Sequence, residues 1–179
     1  MLAGPDPIIE ELPEGSEWTS PIVLVKKSSG ETRFCIDYRR LNDVSIVGHH
    51  PIPYVEDALE GLAGFTAFHS LDLKSAYWQI GLSKDAQRKC AFVCPGYPVY
   101  TFKRMPFGLQ GAPATFQRLV EKVLPVAKTG KLGQDLKNSC IAYLDDILIP
   151  AKNFDHGLQA LEVVLYYYIY YYNIIFEYI

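Results

Sequence analysis

The sequence predicts an α+β protein in which antiparallel strands, paired as hairpins, are backed by helices. Three observations predict it. Two apolar stretches broken by turn residues, within 21–38 and 89–104, read as β-hairpins. One segment, opening at Pro113, has the 3.6-residue apolar period of a helix. A third strand–turn–strand, Ser139 to Ile149, carries two adjacent acids near its bend.

Taken in order, residues 1–17 predict a partial helix followed by the loop Leu12-Pro13-Glu14-Gly15. No helix cap precedes Met1, so the start resembles a fragment boundary. Pro21 to Lys27 is a β-branched run that turns at Ser28-Ser29-Gly30, and Thr32 to Tyr38 returns with alternating character. Pro51 to Leu62 has a short helical pattern after Pro51-Ile52-Pro53. Phe65 to Leu73 reads as a buried strand. Lys89 to Val93 and Val99 to Arg104 flank a Pro95-Gly96 turn. In the helix from Pro113, Phe116, Leu119, Val120, Val123 and Leu124 share one face. The last 14 residues hold seven of the 13 tyrosines. Their low charge and high β-propensity predict a packed tail, aggregation-prone if exposed.

The composition is that of a globular chain, 49% hydrophobic and 21% charged. Neither a signal peptide nor an apolar run long enough to span a membrane is present in the sequence. Cys35, Cys90, Cys94 and Cys140 are too sparse for a disulfide scaffold. With His49 and His50, Cys90 and Cys94 match no zinc spacing, so small core residues are the simpler account. The net charge of −3 conceals an asymmetry. Five acids lie in the first 17 residues, whereas residues 18–150 hold 16 Lys plus Arg against 12 Asp plus Glu. That middle tolerates a phosphate-rich partner.

The chemistry lies in Leu71-Asp72-Leu73 and Tyr143-Leu144-Asp145-Asp146-Ile147. Carboxylates flanked by apolar strand residues are costly when buried unless paired or bound to a cation. Adjacent strand residues point to opposite faces, so Asp145 and Asp146 can serve one site only at a bend. Three oxygen donors suit Mg²⁺, and two such ions suit displacement at phosphorus. An Asp-Asp pair alone would be an ordinary polar turn.

The flanking segments change that balance. Leu71-Asp72-Leu73-Lys74-Ser75-Ala76-Tyr77-Trp78-Gln79-Ile80 is followed by Met105-Pro106-Phe107-Gly108-Leu109-Gln110-Gly111-Ala112-Pro113-Ala114-Thr115-Phe116-Gln117 and then by Tyr143 to Asp146. Upstream stand Ser20 to Lys27 and Arg33 to Asn42. In this order, over roughly residues 8 to 165, the chain resembles the reverse transcriptases of gypsy-like long-terminal-repeat retrotransposon polyproteins.

The resemblance implies a palm-and-fingers polymerase fold, with an antiparallel palm sheet backed by helices, a β-rich fingers lobe and no thumb. It implies RNA-directed DNA polymerase activity on a primed RNA or DNA template with deoxynucleoside triphosphates. Asp72, Asp145 and Asp146 would hold two Mg²⁺ ions, with Mn²⁺ as a substitute. Asp72 and Asp145 would bridge the metals, with Asp146 and the Leu73 carbonyl assisting. Tyr77 would be the steric gate against a ribose 2′-hydroxyl, although alone it would be an ordinary core tyrosine. Phe107 and Gly108 would pack against the incoming nucleotide. Lys26 and Arg33 would contact its triphosphate; counting does not separate Lys26 from Lys27. Arg39, Arg40, Lys103 and Arg104 are candidates for the template path.

The family pattern departs after Ala127, where 127–139 is long and polar, and after Leu165, where a Tyr-rich tail (166–179) follows a fingers-and-palm segment (1–165). The expectation is a polyprotein fragment whose thumb and RNase H partners lie elsewhere, in a cytoplasmic replication particle and away from membranes. The alternatives are a catalytically silent remnant and an RNA-dependent RNA polymerase.

Overall fold

The computed structural model describes residues 7–26, 28–48, 60, 62–129, 140–166, 169 and 176–178, with backbone alone at 124–129 and 176–178. Two units pack separately: Met1–Gly48 with Tyr77–Ala112, and His49–Ala76 with Pro113–Ile179.

The first unit is built on a five-stranded sheet, ordered β1-β6-β5-β2-β3. Its strands are β1 (Ile9–Glu11), β2 (Ser20–Lys26), β3 (Thr32–Ile36), β5 (Phe92–Val93) and β6 (Val99–Phe102). Both expected hairpins form: β2 pairs antiparallel with β3, and β5 with β6. Residues 9–11 were expected in a partial helix and instead form a strand against β6, Ile9 opposite Phe102. The reason is tertiary. Ile9 joins the buried cluster of Ile36, Tyr38, Cys90, Phe92 and Phe102, and that burial outweighs a weak local helical preference. Tyr38, almost fully buried, donates its hydroxyl proton to the Cys90 carbonyl at 2.9 Å. Burial pushes the Cys90 thiol up to about 11, as befits a neutral core residue rather than a metal-binding thiolate. His49 and His50 lie outside the described residues, as does most of the helix expected over Pro51 to Leu62.

Two short helices complete this unit, α1 (Arg39–Val44) and α2 (Lys84–Lys89). Helix α2 takes Lys89, which the sequence pattern had assigned to a strand. Ser83 caps it, its side chain accepting from the Ala86 N–H, and Asp85 and Lys89 pair one turn apart at 2.7 Å.

The second unit holds a four-stranded antiparallel sheet, ordered β7-β8-β4-β9, from β4 (Ala67–Leu73), β7 (Ile141–Tyr143), β8 (Asp146–Ala151) and β9 (Phe176–Tyr178). The last strand comes from the Tyr-rich tail and lies along the edge of β4. Helix α3 (Ala112–Thr129) opens one residue before the expected Pro113, and Phe116, Val120 and Val123 on its apolar face are fully buried. Helix α4 (Phe154–Leu165), which the sequence reading did not anticipate, packs on β8 and β4 and is capped by Asn153. The α+β expectation is met, with an antiparallel sheet backed by helices.

Two stability predictions follow from the second unit. Phe116→Ala should lose about 3–5 kcal/mol in chemical denaturation, because a fully buried ring is replaced by a cavity. Gly157→Ala is the sharper case. Replacing a helical glycine usually stabilises by about 0.5–1 kcal/mol. Here the added methyl would collide with the His69 imidazole, whose Nε2 is buried. The variant should therefore melt below the wild type, and a higher melting temperature would show that His69 has room to move.

Candidate nucleotidyl-transfer site

In the second unit β4 and β8 run antiparallel over six residue pairs, from Ala67 opposite Ala151 to Asp72 opposite Asp146. Alternate residues Leu71, Leu73, Ile147 and Ile149 are buried to 1% exposure or less, which locks the register. Asp72 is thereby held across from Asp146, half-buried against exposed. Like charges directly opposite across strands repel, and a cation would remove that penalty.

Strands β7 and β8 meet at a two-residue turn, Leu144-Asp145, between Tyr143 and Asp146. Leu144 has φ 53°, a left-handed conformation that costs a leucine roughly 1–2 kcal/mol. Two hydrogen bonds grip the turn. The Leu73 N–H donates to the Asp145 carbonyl at 2.9 Å. The Leu144 N–H donates to Gln117 Oε1 at 3.2 Å, and Gln117, on α3, is 1% exposed.

The bend expected at Asp145-Asp146 is therefore present. Both acids are exposed, so the burial penalty inferred from their apolar neighbours does not apply to them. Among the described residues no three acidic, histidine or cysteine side chains form a ready-made metal cage. The opposed pair Asp72 and Asp146, with Asp145 at the turn, places three carboxylates along one end of the β4–β8–β7 strands.

The remaining candidates lie in the first unit. Lys26 ends β2 opposite Thr32, and Arg33 stands opposite Val25 on the same hairpin; both are exposed. Lys27 lies outside the described residues. The Arg33 guanidinium lies 5.8 Å from the centre of the Phe107 ring. Tyr77 and Trp78, on a short 3-10 helix (Ala76–Gln79), pack on the same ring, with centroids at 5.3 and 5.5 Å. Arg33, Cys35, Trp78, Phe107 and Gly108 help line a cavity of about 220 Å³. Gly108 has φ 92°, and a Cβ there would touch the Tyr38 ring.

Three residues without an assigned role prove structural to these sites. Asn42 accepts from the Gln110 N–H and donates to the Gly108 carbonyl, both at 2.9 Å, and so fixes the loop carrying Phe107. Gln117 holds the acidic turn. Trp78 supplies one wall of the aromatic cluster. Only Gln117 left a signal in the sequence, a polar residue beside the apolar face of a helix. Of the template-path candidates, Arg39 is paired with Asp37 at 2.6 Å, which holds the Asp37 carboxyl down at about 2. Arg104 donates to the Gln79 carbonyl.

Comparison with known proteins gives the family and the fold. The family model for "Reverse transcriptase (RNA-dependent DNA polymerase)" matches residues 25–173. The "Transposon Tf2-3 polyprotein" of Schizosaccharomyces pombe is 35% identical over 145 residues, covering 81% of this chain and 10% of that protein. The "Retrovirus-related Pol polyprotein from transposon opus" of Drosophila melanogaster is 34% identical over 158 residues, 86% of this chain and 15% of its own. The chain thus spans a small part of the length of these relatives. The structure of the foamy viral protease-reverse transcriptase in complex with double-stranded DNA superposes with a TM-score of 0.79 at 23% identity, over 95% of this chain and 28% of that one. The two-unit fold is therefore that of a palm-and-fingers polymerase, and the chain belongs to the reverse transcriptase (RNA-dependent DNA polymerase) family.

Proposed function

We propose that this chain transfers deoxynucleotides from their triphosphates to the 3′-hydroxyl of a primer on an RNA or DNA template. The observation that carries the reading is the opposition of Asp72 and Asp146 across β4 and β8, with Asp145 at the adjoining turn. Reverse transcriptases use divalent metal ions, and these three carboxylates, with the Leu73 carbonyl, are the residues that would hold two Mg²⁺ or Mn²⁺. Bound there, the ions would supply a more acidic primer hydroxyl and charge neutralisation at the leaving pyrophosphate.

The protein's own groups account for substrate selection. Arg33 and Lys26 on the β2–β3 hairpin offer positive charge to a triphosphate. Tyr77 presents a ring braced by Phe107, stiff enough to reject the 2′-hydroxyl of a ribonucleotide. Gly108 has no side chain to obstruct a nucleotide laid against the loop that Asn42 holds. The expected partners are a primed template, deoxynucleoside triphosphates, and the thumb and RNase H domains of a gypsy-like parent polyprotein. Among the described residues no helix is long and apolar enough to cross a membrane, and an intracellular replication particle is the proposed setting.

Primer extension on poly(rA)/oligo(dT) with Mg²⁺ tests the reading. Extension by the wild type should fall to background in Asp145→Asn, and an Asp145→Asn protein that extends as well as wild type would refute the assignment. Tyr77→Ala should still extend with deoxynucleotides while its discrimination against ribonucleotides drops by about tenfold or more. Unchanged discrimination would return Tyr77 to the role of a packing residue.

A further inference from the structure

We propose that Glu121 and Gln117 act in series as positioning residues for the Tyr143–Asp146 turn: the Glu121 carboxylate orients the Gln117 amide, and the amide oxygen holds the Leu144 N–H. The proposal rests on the metal-site reading above, because its consequence for function is where Asp145 and Asp146 stand relative to Asp72.

A glutamine amide has two ends of nearly equal size and opposite hydrogen-bonding character. Gln117 is 1% exposed, so water does not decide which end faces the turn. A backbone N–H can only donate, so a flipped amide would set its NH₂ group against the Leu144 N–H. Glu121, four residues further along α3, is on the same helix face. Its Oε1 accepts from Gln117 Nε2 at 3.2 Å, and an ionised carboxylate can only accept. The nitrogen end of the amide is thereby drawn to Glu121 and the oxygen end is left for Leu144, also at 3.2 Å.

That second contact is made to the left-handed residue of the turn. Two peptide groups further along the turn, the Asp145 carbonyl accepts from the Leu73 N–H in β4. The two turn residues, Leu144 and Asp145, are therefore held by α3 at the first N–H and by β4 at the last carbonyl. Releasing the helix side leaves the β4 bond and the left-handed φ to set the turn by themselves, and the two acids shift against Asp72.

The test uses the full chain with three variants: Glu121→Ala, Glu121→Gln and Gln117→Met. Backbone amide exchange is followed by NMR, and Mg²⁺ binding by calorimetry. In Glu121→Ala and Gln117→Met the Leu144 amide should exchange about tenfold faster, while the buried β8 residue Ile147 keeps its wild-type protection. Mg²⁺ affinity should fall by about tenfold in both. Glu121→Gln retains an acceptor for Gln117 Nε2 and should restore most of the protection. If Gln117→Met unfolds, Glu121→Ala carries the test, its side chain being only partly buried. Wild-type Leu144 protection in Glu121→Ala overturns the proposal. Faster Leu144 exchange with unchanged Mg²⁺ binding overturns the link to the acids. An Asp145→Asn control that binds Mg²⁺ like wild type would instead sink the metal-site reading, leaving the Leu144 exchange to judge the relay separately.

Discussion

The register between β4 and β8 is the constraint from which the second unit's chemistry derives. Its six antiparallel pairs bury Leu71, Leu73, Ile147 and Ile149, and they end with Asp72 facing Asp146. A slip of either strand by one residue would turn that strand's two apolar side chains to the wrong face and take the acids out of opposition in the same step. At about 1.5–3 kcal/mol for each fully buried side chain, that slip is prohibitive. The hydrophobic effect thus performs the electrostatically unfavourable task of bringing two carboxylates together. The helix α4 that covers these strands is part of the same device, and it brings Gly157 up against the His69 imidazole.

The turn beyond this register is strained, and the strain is borne by its surroundings. A glycine or asparagine at 144 would adopt the left-handed conformation readily; leucine does so at a cost. Hydrogen bonds from two different elements, α3 and β4, over-determine the turn, which is the usual condition for backbone strain to persist at a functional site. Strain of this kind favours a single geometry for the acids, since relaxing it would break one of the two bonds.

The first unit solves a different problem, that of holding a cationic hairpin and an aromatic surface in fixed relation. Phe107 is the hub, touched by Tyr77, Trp78 and the Arg33 guanidinium. It sits on a loop that Asn42 ties down, its amide spanning the Gly108 carbonyl and the Gln110 N–H. Both buried-cluster and loop geometry converge on Tyr38, which lies beneath Gly108 and donates to Cys90.

Much of this was legible in the residues alone. Period-2 and period-3.6 patterns located the β2–β3 and β5–β6 hairpins, β4, α3 and the acidic hairpin, because side-chain direction along a chain is a local property. The ordered motifs identified the family for the same reason: they are contiguous. What the sequence could not supply was partnership between distant segments. Residues 9–11 became a strand only because β6 offered a free edge and a buried cluster for Ile9. Helices α2 and α4 went unread in the sequence; the structure shows them capped by Ser83 and Asn153, with α4 packed on β4 and β8. The exposure of Asp145 and Asp146, the facing of Asp72 and Asp146, and the grip of Gln117 on Leu144 were decided by tertiary structure. Each joins residues at least 27 positions apart or depends on which face of a sheet is covered, and no local pattern encodes either.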